Sequence, residues 1–354
     1  MTIITQAKPE TRAVRPAEGT EAAPAPPAHP FAEVIRTIGR GTTLSRPLTE
    51  SESEAAMEMI LAGKVEPVQL GAFLLLLRYR GETPPELAGF VRATRRNLRE
   101  LPNAEADLDW PSYADRHKQL PYFLLSALLL AANGVRIVLH GIDGVGEATT
   151  PKALHALGVT PSAGAAAAEA QLRDRRLTYL PLRSICPPMQ RLFDLRPILG
   201  VRSPANSLCR ELNPMGAPHQ LQGVFHPTYL PSHSETARLL GQPHAAIFKG
   251  GGGEIQRNPE KACRVATVDD GVIAEENWDA ITPAERYPWR EEPADPQRLA
   301  GLWRGDWSAP GPEAAIIGTA AIALKLLRRA QTQADATELA RQMWRDRPKQ
   351  THGR

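Results

Sequence analysis

The amino-acid sequence predicts an α/β protein in which a small N-terminal helical domain precedes a larger domain with a mainly parallel central sheet. The chain has 354 residues, more than a single domain of ordinary size, so one large and one smaller domain are expected. Residues 31–100 carry helical patterns alone, whereas helical and strand-like runs alternate beyond Trp110. Such alternation is typical of a parallel sheet covered by helices. We therefore predict a helical domain over 31–100 and an α/β domain over 101–354.

Residues 1–30 precede the first helical pattern and end in GTEAAPAPPAHP. They are rich in Ala, Pro and Glu and contain few apolar residues that could anchor them to a core. We therefore predict that this segment is a disordered tail.

The helices of the N-terminal domain are predicted from the signals at their ends. In LTESESEAAMEMILAG, Thr49 is expected to be an N-cap with Glu52 three residues later, the spacing of a capping box, and Gly63 closes the helix. The next two helices begin with proline, at Pro67 and Pro84. Proline suits a first turn because the N–H that it lacks would have no helical partner there.

The elements of the α/β domain are predicted from apolar patterns between glycine and proline breaks. Short apolar runs predict strands, and apolar residues at helical spacing predict helices. The strands are expected at 134–141, 177–182, 223–227 and 244–251, and the helices at 121–132, 150–157, 165–172, 190–212, 232–240, 312–330 and 335–347. A hairpin is predicted over 262–278, where β alternation passes through an Asp-Gly turn at 270–271.

The positive charge of the chain is modest but clustered. The formal net charge is +3, yet residues 171–210 contain eight arginines against two aspartates. Arg92, Arg95, Arg96 and Arg99 recur at the spacing of one helix face. A row of unpaired cations of this kind faces either solvent or phosphate, and the spacing does not choose between them. Arginine suits phosphate because its planar guanidinium group donates two parallel hydrogen bonds.

The cysteines and the apolar runs indicate in which cellular compartment the protein is expected. The chain has three cysteines, far apart and without C-x-x-C spacing, which indicates neither a disulfide framework nor a zinc site. The N-terminus lacks the apolar region of a signal peptide. The longest apolar run, residues 122–132, is about half of the ~20 residues that a membrane-spanning helix needs. We expect a cytoplasmic protein without a membrane segment.

Five separated segments, in the same order along the chain, resemble the anthranilate phosphoribosyltransferases of glycosyltransferase family 3. They include LTESESEAAMEMILAG at the start of the helical domain, LHGIDGVGEATT after a predicted strand, LGVRSPANSL, GVFHPTYLPSHSETARLLG and FKGGGGEIQRNPE. The resemblance implies a fold of the nucleoside phosphorylase and phosphoribosyltransferase type. It also implies a homodimer that associates through the helical domain.

The chain departs from this family where the family binds the diphosphate of its substrate. The family has a glycine-rich turn after its first strand, but the corresponding stretch, WPSYADRHKQLPYF, contains no glycine. Arg116, His117 and Lys118 stand there instead. In the second diphosphate element His140 and Gly141 match the family pattern, whereas the lysine and the serines of that pattern are absent.

The acidic pair that binds magnesium in the family is also incomplete. FKGGGGEIQRNPE places Glu254 on the glutamate of that pair and Gly253 on the aspartate. Loss of one carboxylate weakens a magnesium site, since this ion prefers hard oxygen ligands. Arg202 falls on the arginine that holds the aromatic acid substrate. We therefore expect no catalytic residues, with Arg202, His140 and Glu254 as vestiges, Glu254 as a vestigial metal ligand, and no required cofactor.

These departures are similar to those of the YbiB-type branch of the family. The resemblance implies that this chain, like that branch, forms a nucleic-acid-binding homodimer. We accordingly predict non-sequence-specific binding of DNA or RNA through arginine-rich surfaces. The alternative is a phosphoribosyltransferase that acts on an unidentified aromatic or nitrogenous acceptor with phosphoribosyl pyrophosphate and magnesium. A third possibility is a scaffold whose basic surface serves solubility. The residues predicted to contact nucleic acid or another anion are Arg92, Arg95, Arg96, Arg99, Arg116, His117, Lys118, Arg173, Arg175, Arg176, Arg183, Arg202 and Lys249.

Overall fold

A computed structural model describes residues 28–41, 43–114, 119–251, 254–281 and 286–350 of the chain. The predicted tail over 1–30 lies almost wholly outside these ranges. Arg116, His117 and Lys118, which were predicted to bind an anion, also lie outside the described residues, as does Gly253. Within the described part of the chain, no helix is both long and apolar enough to cross a membrane.

The N-terminal domain is a group of four helices whose ends follow the sequence signals. The predicted capping box is confirmed, because Thr49 accepts a hydrogen bond from the backbone N–H of Glu52 and the Glu52 carboxylate accepts one from Thr49 N–H. Proline occupies the first turn of the third and fourth helices, as predicted. The four helices are α1 (Phe31–Gly39), α2 (Glu50–Leu61), α3 (Pro67–Arg80) and α4 (Pro84–Arg96).

A seven-stranded sheet forms the centre of the second domain. Its strand order is β3-β2-β1-β4-β5-β6-β7, and the first five strands of that order are parallel. The last two are antiparallel and form the predicted hairpin, with its turn at Asp270 and Gly271. The strands are β1 (Leu108–Ser112), β2 (Ile137–Gly141), β3 (Leu177–Pro181), β4 (His219–Val224), β5 (His244–Lys249), β6 (Cys263–Asp269) and β7 (Val272–Trp278).

Helices cover both faces of this sheet. The larger helices that connect parallel strands follow the predicted alternation, and the chain ends in three helices. They are α5 (Phe123–Ala132), α6 (Thr150–Ala156), α7 (Ala165–Arg175), α8 (Leu182–Ile185), α9 (Pro187–Asp194), α10 (Arg196–Leu199), α11 (Ala205–Leu208), α12 (Leu230–Leu239), α13 (Gln297–Arg304), α14 (Pro310–Leu326) and α15 (Gln333–Asp346). The predicted fold class, a small helical domain followed by a mainly parallel α/β domain, is confirmed.

The two largest apolar cores lie on opposite faces of the sheet. One contains Trp110 and Tyr179 together with the buried sides of α5 and α14. The other joins the helical domain to the α/β domain, since Phe73 and Phe90 belong to the same buried cluster as Val138. Because this second core is shared, the two domains pack as one body on that face of the sheet.

Two predicted elements differ from the structure. The helix expected over 190–212 is divided into α9, α10, α11 and a final 3-10 turn, because Gly200 ends α10 with φ 72°. The strand expected over 223–227 lies at 219–224 instead. Its glutamines, Gln220 and Gln222, interrupt the apolar run that the strand prediction relied on, yet both side chains are buried.

Candidate functional site

The strand order reverses direction between β1 and β4, and this point positions the candidate site. From β1 the chain proceeds outward through β2 to β3, and then returns to place β4 on the other side of β1. In open parallel sheets, ligands bind beyond the carboxyl ends of the strands at such a reversal. Here the segments after β1 and β5 bring Ser112 and Ala114 against Glu254, close to the guanidinium groups of Arg202 and Arg210.

Glu254 is the centre of this cleft, and its carboxylate is already engaged. The side chain is 4% exposed. Its Oε1 atom accepts a hydrogen bond of 3.0 Å from the Ser112 hydroxyl and another of 3.0 Å from the backbone N–H of Ala114. Burial raises the pKa of Glu254 to about 7, against the opposing effect of the Arg210 charge. The carboxylate therefore occupies donors at the end of β1 that would otherwise face an incoming anion.

Glu254 by itself is a poor site for a magnesium ion. A magnesium ligand must be an ionised oxygen that can reach the ion, and two carboxylates are usual beside a diphosphate. Glu254 is buried, its burial raises its pKa and so favours the protonated form, and it has glycine rather than aspartate before it in the sequence. Among the described residues, the side chains that could together hold a metal are His244, Asp269 and Asp270, at the other end of β5.

Arg202 lies in the cleft where the resemblance implied it. It is half-buried in the segment between α10 and α11, and its guanidinium carbon is 6.0 Å from the centre of the Phe225 ring. Arg210 anchors the same wall, since its Nε–H donates to the carbonyl of Gly223 at 2.9 Å. The guanidinium groups of Arg202 and Arg210 thus both lie close enough to Glu254 to act on its carboxyl group.

His140, which was expected to be a vestige of the diphosphate site, does not reach the cleft surface. It is fully buried in β2. One ring nitrogen lies 2.8 Å from the Tyr113 hydroxyl, and the other lies 3.1 Å from a carboxylate oxygen of Asp109. Neighbouring Gly141 is explained by packing, because a Cβ atom there would lie 2.0 Å from the carbonyl oxygen of Ser112.

His140 belongs to a buried polar network beneath the helical domain, which the sequence analysis missed. Gln220 donates to Asp109 at 2.8 Å, and Gln222 donates both to Gln220 at 2.8 Å and to Glu211 at 2.7 Å. The carboxylate of Glu211 in turn lies 2.6 Å from a ring nitrogen of His233. Every side chain in this network is at least 97% buried; its members are Tyr113, His140, Asp109, Gln220, Gln222, Glu211 and His233.

The arginine stripe of α4 is not a row of unpaired cations, and this expectation is corrected. Arg92 pairs with Glu50 of α2 and donates to the carbonyl of Leu239. Arg95 donates to the carbonyl of Leu212 at 2.8 Å and faces the buried carboxylates of Asp109 and Glu211. Desolvation lowers the pKa of Arg95.

The last two members of that stripe differ in their partners. Arg96 pairs with Glu54 and Glu58, which ties α4 to α2. The exposed side chain of Arg99 makes no hydrogen bond or ion pair with a described residue. Thus three of the four guanidinium groups stabilise contacts within the protein, and Arg99 alone of the four remains free to meet a ligand among the residues the structure describes.

The other arginine cluster is partly neutralised. Arg173 pairs with its neighbour Asp174, Arg175 donates to the carbonyl of Gly158, and Arg183 pairs with Asp143. Arg176 is exposed at the end of α7 in a left-handed conformation, and its side chain has no polar partner in the described part of the chain. These residues stay candidates for anion contact, with Arg176 the most available.

Lys249 lies at the exposed end of β5 and lines a cavity of about 450 Å³ beside the cleft. Phe225 stands between the two spaces, since its ring faces Arg202 and also lines the cavity. The sequence analysis missed the other basic and aromatic residues of this cavity. The alternation of basic and aromatic residues in RYPWR, residues 286–290, was the available signal. The basic and aromatic residues of the cavity that were not predicted are Lys261, Arg264, Trp289 and Arg290.

A four-helix domain packed on a sheet of this order, with a ligand cleft at the strand reversal, defines the two-domain transferase class. Two family descriptions match the chain: the helical bundle domain of the glycosyl transferase family over residues 32–98, and the a/b domain of that family over 122–346. The chain belongs to glycosyl transferase family 3.

Individual relatives agree with this membership. The uncharacterized protein YbiB of Escherichia coli (strain K12) is 28% identical over 245 residues, which cover 68% of this chain and 76% of YbiB. Anthranilate phosphoribosyltransferase of Beijerinckia indica is 30% identical over 245 residues, 69% of this chain and 70% of that protein. The crystal structure of the Thermus thermophilus enzyme superposes with a TM-score of 0.74 at 24% identity, covering 90% of this chain and 94% of that one.

Proposed function

We propose that the protein binds nucleic acid without sequence specificity and that it is a catalytically degenerate member of its family. The observation that carries this proposal is a set of exposed cations whose side chains have no polar partner among the described residues. Cations of this kind contact phosphate without breaking an internal ion pair, and phosphate contacts supply affinity that is independent of sequence. They include Arg99, Arg176, Arg191, Lys249, Lys261, Arg286 and Arg290.

The state of the cleft supports the loss of transfer chemistry. Phosphoribosyl transfer needs an ordered diphosphate leaving group whose charge is neutralised as it departs. In this chain the Glu254 carboxylate itself takes the donors of Ser112 and Ala114. A buried carboxyl group in this place opposes the binding of an anion, because it occupies hydrogen-bond donors that the anion would need.

We further propose a homodimer that forms through α3. Val68, Leu75 and Tyr79 lie on one face of this helix and are 79%, 43% and 95% exposed. Large apolar side chains grouped on one helix face are typical of a protein interface. A dimer would join the basic surfaces of two chains, which raises the number of phosphates contacted by one nucleic acid.

Three buried free cysteines agree with a reducing, cytoplasmic location.

The proposal is tested by titrating the full chain with labelled single-stranded and double-stranded oligonucleotides at low and high salt. Binding should weaken steeply with salt, and replacing Arg173, Arg175 and Arg176 together by Ala should reduce the slope of log affinity against log salt by about one per lost phosphate contact. The matched control replaces Arg238, Arg304 and Arg341 by Ala, because these three exposed arginines each pair with a nearby carboxylate. Absence of binding to either oligonucleotide at low salt would refute the proposal.

Phosphoribosyl transfer to an aromatic or nitrogenous acceptor is the alternative, and the place of Arg202 in the cleft is the observation that favours it. It is tested by incubating the protein with phosphoribosyl pyrophosphate, magnesium and anthranilate and measuring product. Turnover that disappears in Glu254→Ala would establish the alternative. We expect no turnover in either protein.

A further inference from the structure

The groove beyond β5 is a second place where the chain can hold a ligand. The cavity lined by Lys249 adjoins a second cavity of about 630 Å³, and the two share Lys261, Trp289 and Arg290 along their walls. We propose that this continuous groove binds a single strand of nucleic acid, with a base stacked on Trp289 and the phosphates on the surrounding lysines and arginines. The inference rests on the proposed function and adds to it the place and the form of the bound nucleic acid.

The charges of the groove favour a polyanion. Its walls carry five cations against two carboxylates, those of Glu260 and Glu291. Of the five, Arg264 alone has an acidic partner in the described part of the chain, Glu275 at 3.8 Å. The other four have none, in contrast to the arginines of α4. They are Lys249, Lys261, Arg286 and Arg290.

The indole of Trp289 is fixed before any ligand arrives. Its Nε1–H donates to the Glu260 carboxylate at 3.0 Å, and the same oxygen accepts the backbone N–H of Tyr287 at 2.8 Å. The rings of Tyr287 and Tyr122 pack edge-on against the indole, with centroids 4.7 and 6.1 Å away. A ring held in place loses little conformational entropy when a base stacks on it. The carboxylate of Glu260 is occupied by these two donors, which reduces its repulsion of a phosphate.

The combination of an aromatic wall and unpaired cations in a groove selects single strands over duplexes. Bases in a duplex are already stacked on their neighbours, so their faces cannot reach a protein ring. Bases in a single strand are free to stack on aromatic side chains while the backbone follows a positive groove. Phe225, which is 38% exposed on the opposite side near the cleft, offers a second ring to the same strand.

The test uses the full chain and a labelled oligothymidylate of about twenty nucleotides, compared with a duplex of equal length. Trp289→Ala should weaken single-strand binding about tenfold, as expected for the loss of one stacked base, and change duplex binding less than threefold. Trp289→Phe should keep most of the affinity but lose part of the tryptophan quenching that accompanies binding. Trp289→Phe keeps an aromatic ring beside Tyr122 and Tyr287 and loses only the hydrogen bond to Glu260, so its urea unfolding, compared with that of Trp289→Ala, separates ligand contact from folding.

A charge-reversal variant provides a second test of the groove. Lys261→Glu should weaken oligothymidylate binding by about tenfold or more, whereas Lys64→Glu, an exposed lysine of the helical domain, changes the net charge equally and should have little effect. If wild-type protein binds the oligonucleotide but Trp289→Ala and Lys261→Glu bind it as tightly, the groove is not the site and the inference falls while the proposed function stands. Thymidine monophosphate binding as tightly as the oligonucleotide would also overturn it, since the occupant would then be a free nucleotide.

Discussion

At the scale of single residues, the environment of a charged group decides its role more than its type does. Glu254 and Arg95 both occupy positions that suggest ligand binding, yet the charged group of each interacts with other residues of the protein. Glu254 accepts two hydrogen bonds inside the cleft, and Arg95 compensates buried carboxylates beneath the helical domain. A buried charged group must find a partner or become neutral, because desolvation of a charge is costly. The free cations are therefore found where the surface is open, at Arg176 and in the groove around Trp289.

The raised pKa of Glu254 predicts a pH dependence of stability. Its pKa rises from the usual value of 4.5 to about 7, so the folded protein holds the proton more tightly than the unfolded chain does. This contribution to stability is complete below the unfolded pKa and is lost as the pH rises through about 7. The free energy of unfolding of the wild type relative to Glu254→Gln should fall by ~2–3 kcal/mol from about pH 5 to about pH 8.

Urea unfolding of both proteins across this pH range measures the difference. Glu100→Gln is the control, because Glu100 is exposed and its side chain makes no hydrogen bond with a described residue. Its stability relative to wild type should stay constant with pH. A constant difference for Glu254→Gln as well would show that the carboxyl is not buried as described here.

At the scale of elements, α2 and α4 approach each other unusually closely. A Cβ atom at Gly89 of α4 would lie 2.2 Å from the carbonyl oxygen of Glu50 and 2.8 Å from the Cβ of Ser53. The ion pairs from Arg92 and Arg96 cross the same interface. Glycine in a helix interior costs stability by itself, so here its absent side chain is what allows the contact.

Gly89→Ala is accordingly expected to destabilise the protein. Helix propensity alone would stabilise this variant by ~1 kcal/mol, but the clash with helix backbone should outweigh that gain and leave a net loss of ~1–2 kcal/mol. Ala55→Gly, at an exposed position of α2, calibrates the propensity term and should cost ~1 kcal/mol. Both are measured by urea unfolding. A stabilised Gly89→Ala protein would contradict the close approach of the two helices.

The buried network shows why strand β4 was misplaced. Gln220 and Gln222 face the helical domain and are satisfied by Asp109 and Glu211, while Leu221 between them enters the opposite apolar core. The alternation typical of a strand is present in His-Gln-Leu-Gln. The polar positions of this alternation are not exposed to solvent, however, because they are buried against partners that lie far away in the sequence.

At the scale of the whole molecule, the homodimer is the main prediction. Changing Leu75 and Tyr79 together to Glu places two charges on the exposed face of α3 and should convert the protein to a monomer, because burying unpaired charges is costly. Sedimentation equilibrium measures the molar mass. Leu44→Glu is the control, since Leu44 is 72% exposed but lies outside α3. A monomeric wild type, or a dimer that tolerates the double change, would exclude α3 as the interface.

The sequence by itself determined the fold class, the caps of the helical domain, the hairpin and the family. These features follow from local signals: proline and capping residues set helix ends, and alternation with turn residues sets strands. The sequence also identified the incomplete acidic pair, because Gly253 cannot supply a carboxylate whatever its surroundings.

The tertiary structure alone decided which charges are free. Three of the four arginines of the predicted stripe are paired with residues at least 38 positions away, and His140 is enclosed by Tyr113 and Asp109. The groove likewise could not be predicted from the sequence, since it combines residues near 225, 249, 261 and 289. Pairing and burial depend on contacts between distant segments, and a pattern read along the chain contains no information on which segments meet.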